Sequence, residues 1–215
     1  MKKIISTILV ALAITTNGYS QDSFSDEYYF PLSFVVNGNI GVFSTQTEDF
    51  QVTNRPMLST SALFGINPNL FLGGGIGVGT WNMKPTWDGT VEDKYFNVPI
   101  YATARYFFGE RRKMGMFFDA KIGYRLGNKV KMNMLTERRT GEDYRIIAGH
   151  GLYSSIVIGM SFHRIELSMG MDIQGLNYDV VDHSIVTGYY RKPRNREETV
   201  STTVRAFIFQ LGYWF

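Results

Sequence analysis

The stretch Val200 to Phe215, VSTTVRAFIFQLGYWF, most constrains what this chain can fold into. Every second position back from the last, Phe215, Tyr213, Leu211, Phe209 and Phe207, is large and apolar. The alternate set, Trp214, Gly212, Gln210, Ile208 and Ala206, mixes small, polar and apolar groups. A period of two belongs to a β-strand with two unlike faces. Such a strand is accounted for if its greasy face meets lipid and it closes a barrel.

The start of the chain points to export. Lys2 and Lys3 precede a short apolar run, Ile4 to Ile14, and Gly18-Tyr19-Ser20 supplies small residues at a cleavage point. We read residues 1–20 as a secretory signal peptide, too short to span a bilayer as a helix. Residues 21–30 form a polar lead-in ending in aromatics, and 31–215 one barrel domain. The formal charge of +3 includes two lysines in 1–20 and no acid there, which leaves +1 for the mature chain. A balance that small gives no reason to expect a nucleic-acid partner. With no cysteine, disulfides and thiolate chemistry are excluded.

Seven further segments alternate like the last. The expected strands are Leu32 to Ser44, Pro56 to Ile66, Leu70 to Asn82, Asn97 to Phe107, Gly115 to Gly127, Ile147 to Phe162 and Ile165 to Gly175. The fifth is the clearest: Met116, Phe118, Ala120, Ile122, Tyr124 and Leu126 stand against Asp119, Lys121, Gly123 and Arg125. The glycine run Gly73, Gly75, Gly77 and Gly79 does not match a dinucleotide or phosphate-loop motif, and reads as space for bulky neighbours in a narrow barrel. No cofactor is expected.

Connections after the second, fourth and sixth segments are short. Those after the first, third, fifth and seventh are long, among them Thr45 to Arg55, a loop with Trp81 and Trp87, and Asn177 to Thr199. Outer-membrane barrels have short periplasmic turns and long external loops, and an even strand number puts both termini in the periplasm. A periplasmic aromatic girdle is expected from Phe30, Phe64, Phe71, Phe107, Phe108, Phe117, Phe118, Phe162, Tyr213 and Phe215. Crossing an apolar band of ~25 Å takes roughly ten residues, which puts Arg205 at the outer rim.

These segments, the signal peptide and the ending Gln210 to Phe215 make the chain resemble the small eight-stranded outer-membrane β-barrel proteins of Gram-negative bacteria. That class includes the OmpA membrane domain and OmpX. Asn67-Pro68-Asn69-Leu70, Val98-Pro99 and Arg105-Tyr106-Phe107-Phe108 look like fragments of "porin family" barrel domains. The resemblance implies an all-β, transmembrane, antiparallel up-and-down barrel. It also implies that Phe209, Leu211, Tyr213 and Phe215 form the signal read by the barrel-assembly machinery.

The inward sets carry Arg105, Lys121 and Arg125 against Asp119, Glu166 and Asp172. In a lumen wide enough only for side chains, three charges of each sign read as a neutral, paired network. That network either plugs the lumen or lines a gated path for small solutes; the plug needs no further feature. Catalysis has weak support. His163 falls in a turn, His150 lacks a serine two positions on, and Asp182-His183-Ser184 are neighbours that a strand points opposite ways. The protruding hairpins near Lys129 to Thr136 and Asn177 to Tyr190 offer edges to which a foreign strand could add. We therefore expect a monomeric, non-enzymatic barrel with a structural or surface-interaction role, in contact with outer-membrane lipid and lipopolysaccharide. A small-solute channel and a membrane-embedded hydrolase are the alternatives.

Overall fold

The computed structural model describes residues 32–42, 49–86, 89–91, 94–108, 114–134, 143–147, 149–184 and 194–215. The expected signal peptide, the lead-in with Phe30, and residues 109–113 and 135–142 lie outside these residues. Eight long strands build the wall: β1 (Leu32–Val42), β2 (Phe50–Gly65), β3 (Leu70–Pro85), β5 (Tyr95–Phe108), β6 (Met114–Gly127), β9 (His150–Phe162), β10 (Ile165–Ser184) and β11 (Arg194–Trp214). Between them in sequence fall three short strands, β4 (Gly89–Val91), β7 (Val130–Met134) and β8 (Asp143–Ile147). All neighbours are antiparallel, and β11 pairs with β1 from Val35↔Trp214 to Val42↔Phe207. The sheet is thus a closed eight-stranded barrel, with the last segment as its closing strand.

Closure follows from the two-residue period. On β11, Phe207, Phe209, Leu211, Tyr213 and Phe215 are exposed on the outer wall, while Ala206, Ile208, Gln210 and Trp214 are buried inside. Strands β6, β9 and β10 repeat the pattern: Ile122, Leu152, Ile156, Leu167 and Met169 face outward. The result is a contiguous apolar belt, far larger than a water-soluble surface carries.

The two rims differ. At one, β2–β3 and β9–β10 are joined by tight turns. Asn67 Oδ1 accepts from the backbone N–H of Asn69 (2.9 Å) and Leu70 (2.7 Å), which satisfies donors the turn would otherwise orphan. Asn69 then ties the turn to the next strand, its Nδ2 donating to the Phe107 carbonyl at 2.9 Å. The β9–β10 turn has only two residues, and His163 adopts φ 58°, in the left-handed region.

The other rim rises higher than the sequence suggests. β2 begins at Phe50, so residues 50–55 are strand, not loop. The expected polar hairpin Asn177 to Thr199 is an unbroken ladder up to Ser184↔Arg194. Above the tops of β5, β6 and β9, the short strands continue the wall in the order β10-β8-β7-β4. The edge of β10 at Tyr178 to Val181 is therefore taken by Tyr144 to Ile147 of β8, and is not open to a foreign strand. Val130 and Met132 form the inner face of this upper storey: both are buried with Phe50, Met83, Ile147 and Leu176.

The aromatic girdle also needs correction. Phe64, Phe108, Phe118, Tyr213 and Phe215 face outward as expected, and Phe162 is half-buried. Phe71, Phe107 and Phe117 point inward, and with Leu63, Val157 and Trp214 fill the lumen at the short-turn rim. They sit on the inner parity of their strands, so alternation, not aromatic character, decides their side.

His163 gives a direct test of the turn. Glycine occupies φ > 0 freely, whereas a β-branched side chain there is strained by about 1–2 kcal/mol. In urea titrations of refolded barrel, His163→Gly should keep or raise the midpoint and His163→Val should lower it.

Candidate functional site: the charged lumen

The inner wall is layered from rim to rim. Next to the aromatic cluster lies a buried ionic group centred on Arg105. This residue stands directly across the ladder from Asp119 on β6, which places guanidinium and carboxylate side by side. Its Nη2 donates to Asp119 Oδ2 at 2.8 Å, and its Nη1 to both Glu166 oxygens at 2.9 Å. Glu166 comes from β10, three wall strands away, so a single arginine links opposite parts of the barrel. Exposure of all three is 1% or less.

Each carboxylate has further donors. Thr103 Oγ1 donates to Asp119 Oδ1 at 2.5 Å, and Lys121 Nζ lies 3.7 Å from Asp119 Oδ2. Trp214 on the closing strand donates its indole N–H to Glu166 Oε1. The Arg105 guanidinium also lies 4.6 Å from the centre of the Phe117 ring and 5.3 Å from that of Trp214. An ion in so dry a place is tolerable only when nearly every face has a partner. Aromatic faces and carboxylates together provide that.

The next layer holds Tyr101, Tyr153 and Met57, with Lys121 5.3 Å from the Tyr101 ring centre. Tyr101 fits because Gly75 and Gly123 leave its side of the wall bare: a Cβ on Gly75 would lie 2.7 Å from the ring. Asp172 accepts from Gln174 Nε2 at 3.0 Å and faces Arg55 at 3.6 Å. Beyond it, Arg125 donates to the Tyr95 hydroxyl and, at 2.6 Å, to the Gly175 carbonyl, with the Trp81 ring 4.7 Å away.

The six charges expected inside, Arg105, Asp119, Lys121, Arg125, Glu166 and Asp172, are all buried, but not as a neutral set. Arg55, assigned to a loop in the sequence, is a seventh at 4% exposure, making four buried cations to three buried anions among the described residues. Nor is the set one network. Arg105, Asp119, Glu166 and Lys121 form one group, Arg55 and Asp172 another, and Arg125 rests on a phenol, a carbonyl and an indole. Trp81, within the strand expected at Leu70 to Asn82, lies on β3 at 2% exposure between Arg55 and Arg125. Inner parity carried back from Met57 and Ser59 through Arg55 was the signal available for the missed cation.

Among the other sequence candidates, His150 is exposed on the outer wall, its ring stacked 6.4 Å from that of Tyr124, and His163 is in the turn. Asp182, His183 and Ser184 are consecutive in the β10 ladder opposite Arg196, Asn195 and Arg194, and their side chains lie outside the described residues. The described residues include no cluster of three potential metal ligands.

Removing Arg105 leaves two buried carboxylates short of their main partner, which typically costs about 3–5 kcal/mol. Arg105→Met should therefore lower the unfolding midpoint of the refolded barrel sharply. Arg105→Lys should also lower it, since an ammonium cannot bridge two carboxylates with the same fork.

No family model and no curated protein matches the sequence. Among solved structures, the outer membrane protein OprG from Pseudomonas aeruginosa superposes with a TM-score of 0.51 at 8% identity, over 87% of this chain and 97% of that one. The outer membrane enzyme PagL (TM-score 0.42, 12% identity, 83% of this chain and 98% of that) is less similar. So is Neisserial surface protein A (0.40, 10%, 84% and 96%), and neither bears on the chemistry here. What the chain shares with OprG is the architecture, a closed antiparallel barrel of the kind found in outer membranes.

Proposed function

We propose that this protein is a monomeric, integral barrel of the bacterial outer membrane, plugged along its axis, with a structural or surface-interaction role. The observation that carries this is the Arg105–Asp119–Glu166 group, enclosed between an apolar cluster at each rim. An ion-conducting path would have to cross Phe71, Phe107 and Trp214 on one side and Phe50, Met83 and Met132 on the other. Both sets are buried and packed.

The apolar belt supports membrane residence, and the two unlike rims support an orientation. Short turns and both termini face the periplasm; the storey built by β4, β7, β8 and the tops of β10 and β11 stands outside the cell. In that orientation the belt meets the acyl chains of outer-membrane lipid, and the rim above meets lipopolysaccharide. The outward stripe of Phe209, Leu211, Tyr213 and Phe215 is the segment we assign to recognition by the barrel-assembly machinery. We read the chain as non-enzymatic, since His150 has a ring neighbour and no carboxylate partner among the described residues.

Planar-bilayer recording of refolded protein tests the plug: silence is expected, and stable, discrete openings would favour a small-solute channel. In cells, the protein should fractionate with the outer membrane and show heat-dependent gel mobility. A tag placed within 185–193 should be accessible on intact cells; a tag seen only after permeabilisation would reverse the orientation. His183→Ala should leave envelope lipids unchanged.

A further inference from the structure

The buried charges do not cancel layer by layer. Among the described residues, Arg105 and Lys121 balance Asp119 and Glu166, so the group next to the aromatic cluster is neutral in itself. Farther from that cluster only Asp172 stands against Arg55 and Arg125, and one positive charge is left over. Both holders of this surplus are arginines, which cannot shed the proton. A buried lysine could have gone neutral; these two stay charged at 4% and 0% exposure.

The same side chains carry donors with nothing to donate to. Arg55 comes no nearer to Asp172 than 3.6 Å, too long for a hydrogen bond. Its Nε, Nη1 and Nη2 are all buried and have no acceptor among the described residues. Arg125 donates from Nη1 to the Tyr95 hydroxyl and from Nη2 to the Gly175 carbonyl, and its Nε is likewise buried without an acceptor. The Trp81 ring centre lies 5.4 Å from one guanidinium carbon and 4.7 Å from the other, so the two donor sets meet at one indole. The wall beside them is bare. Gly41 stands across the ladder from Arg55 and Gly151 from Arg125, and a Cβ there would lie 3.3 Å from Arg55 Nε or 3.2 Å from Arg125 Nη2. Glycine at both places leaves these nitrogens uncovered by a neighbouring side chain.

We propose that this layer of the lumen binds one small monovalent inorganic anion, of the size and charge of chloride, held by Arg55 and Arg125 beside Trp81. The surplus charge selects the occupant. Water would satisfy the unpartnered donors but brings no charge, so the buried surplus would remain. Sulfate would overshoot to a net negative layer, and an eight-stranded lumen has space for side chains and at most one small ligand. With an apolar cluster on either side, the ion enters as the barrel folds and leaves slowly. Slow exit rests on the plugged lumen proposed above; the site itself does not.

Bromide, which scatters anomalously, is the probe. Crystals of the full barrel, refolded with bromide as the sole halide, should show one anomalous peak in the lumen, within hydrogen-bonding reach of Arg55 and Arg125. Arg55→Met removes the surplus charge with its donors, and Gly41→Asp sets a carboxylate beside Arg55 as a built-in counter-ion; both should lose the peak. Asp172→Asn enlarges the surplus and should keep the peak at undiminished occupancy, which a general loosening of the lumen would not. Heat-dependent gel mobility certifies each fold, and if Arg55→Met does not refold, Gly41→Asp decides. A wild-type lumen without the peak, bromide at surface positions only, a peak kept in Arg55→Met or Gly41→Asp, or its loss from Asp172→Asn would overturn the proposal. Elemental analysis after desalting separates the site from the plug: retained bromide is expected, whereas a peak in crystals with rapid loss on desalting upholds the site and fails the plug.

Discussion

The ladder between β1 and β11 is the constraint on which the rest depends. Within hydrocarbon an unpaired N–H or C=O finds no water, so a sheet there must have no edge. Pairing Val35 with Trp214 and Val42 with Phe207 removes both edges at once. It also fixes parity around the ring: once β11 turns Phe207, Phe209 and Leu211 outward, a one-residue slip anywhere would put a charge such as Asp119 or Lys121 into lipid. The inner charges therefore help specify register even where their net contribution to stability is small.

Inside, the narrow ring forces a choice of filling. Apolar side chains occupy the two ends, and the ions sit in the middle where walls on every side can reach them. Arg105 suits the central place because its fork can serve Asp119 and Glu166 together while its flat face lies against Phe117. Trp214 links this interior to closure: the strand that seals the wall also brings the indole donor for Glu166. Sealing the wall and completing the core are one event.

Much of this was legible in the sequence, for a reason that particular residues make plain. A period of two registers wherever one face is lipid, so strands such as β6, with Met116 to Leu126 against Asp119 to Arg125, read without ambiguity. The signal fades where both faces are polar or both apolar. Residues 50–55 carry Thr53, Asn54 and Arg55 in a strand that has already left the belt, and so resembled a loop; the same holds for Asn177 to Ser184. Residues such as Phe71, Phe107 and Phe117 failed in the opposite way. Aromatic residues suit an interfacial girdle and a lumen plug equally, and only their parity separates the two. The protruding hairpins were legible, but how the upper storey pairs was hidden, because β4, β7 and β8 are short and β4 and β8 find partners distant in sequence.

The ionic group of Arg105 has an apolar layer on each side, and this has a consequence for the conditions the protein can endure. Dissolved ions weaken charge pairs by gathering around them, over about 10 Å at 0.1 M salt, but only where they can approach. Asp119, Glu166 and Arg105 at 1% exposure or less are closed to that atmosphere from either compartment. A bacterium moving between fresh and saline surroundings would change the screening of every charge on its surface, while the centre of this barrel kept the same strength.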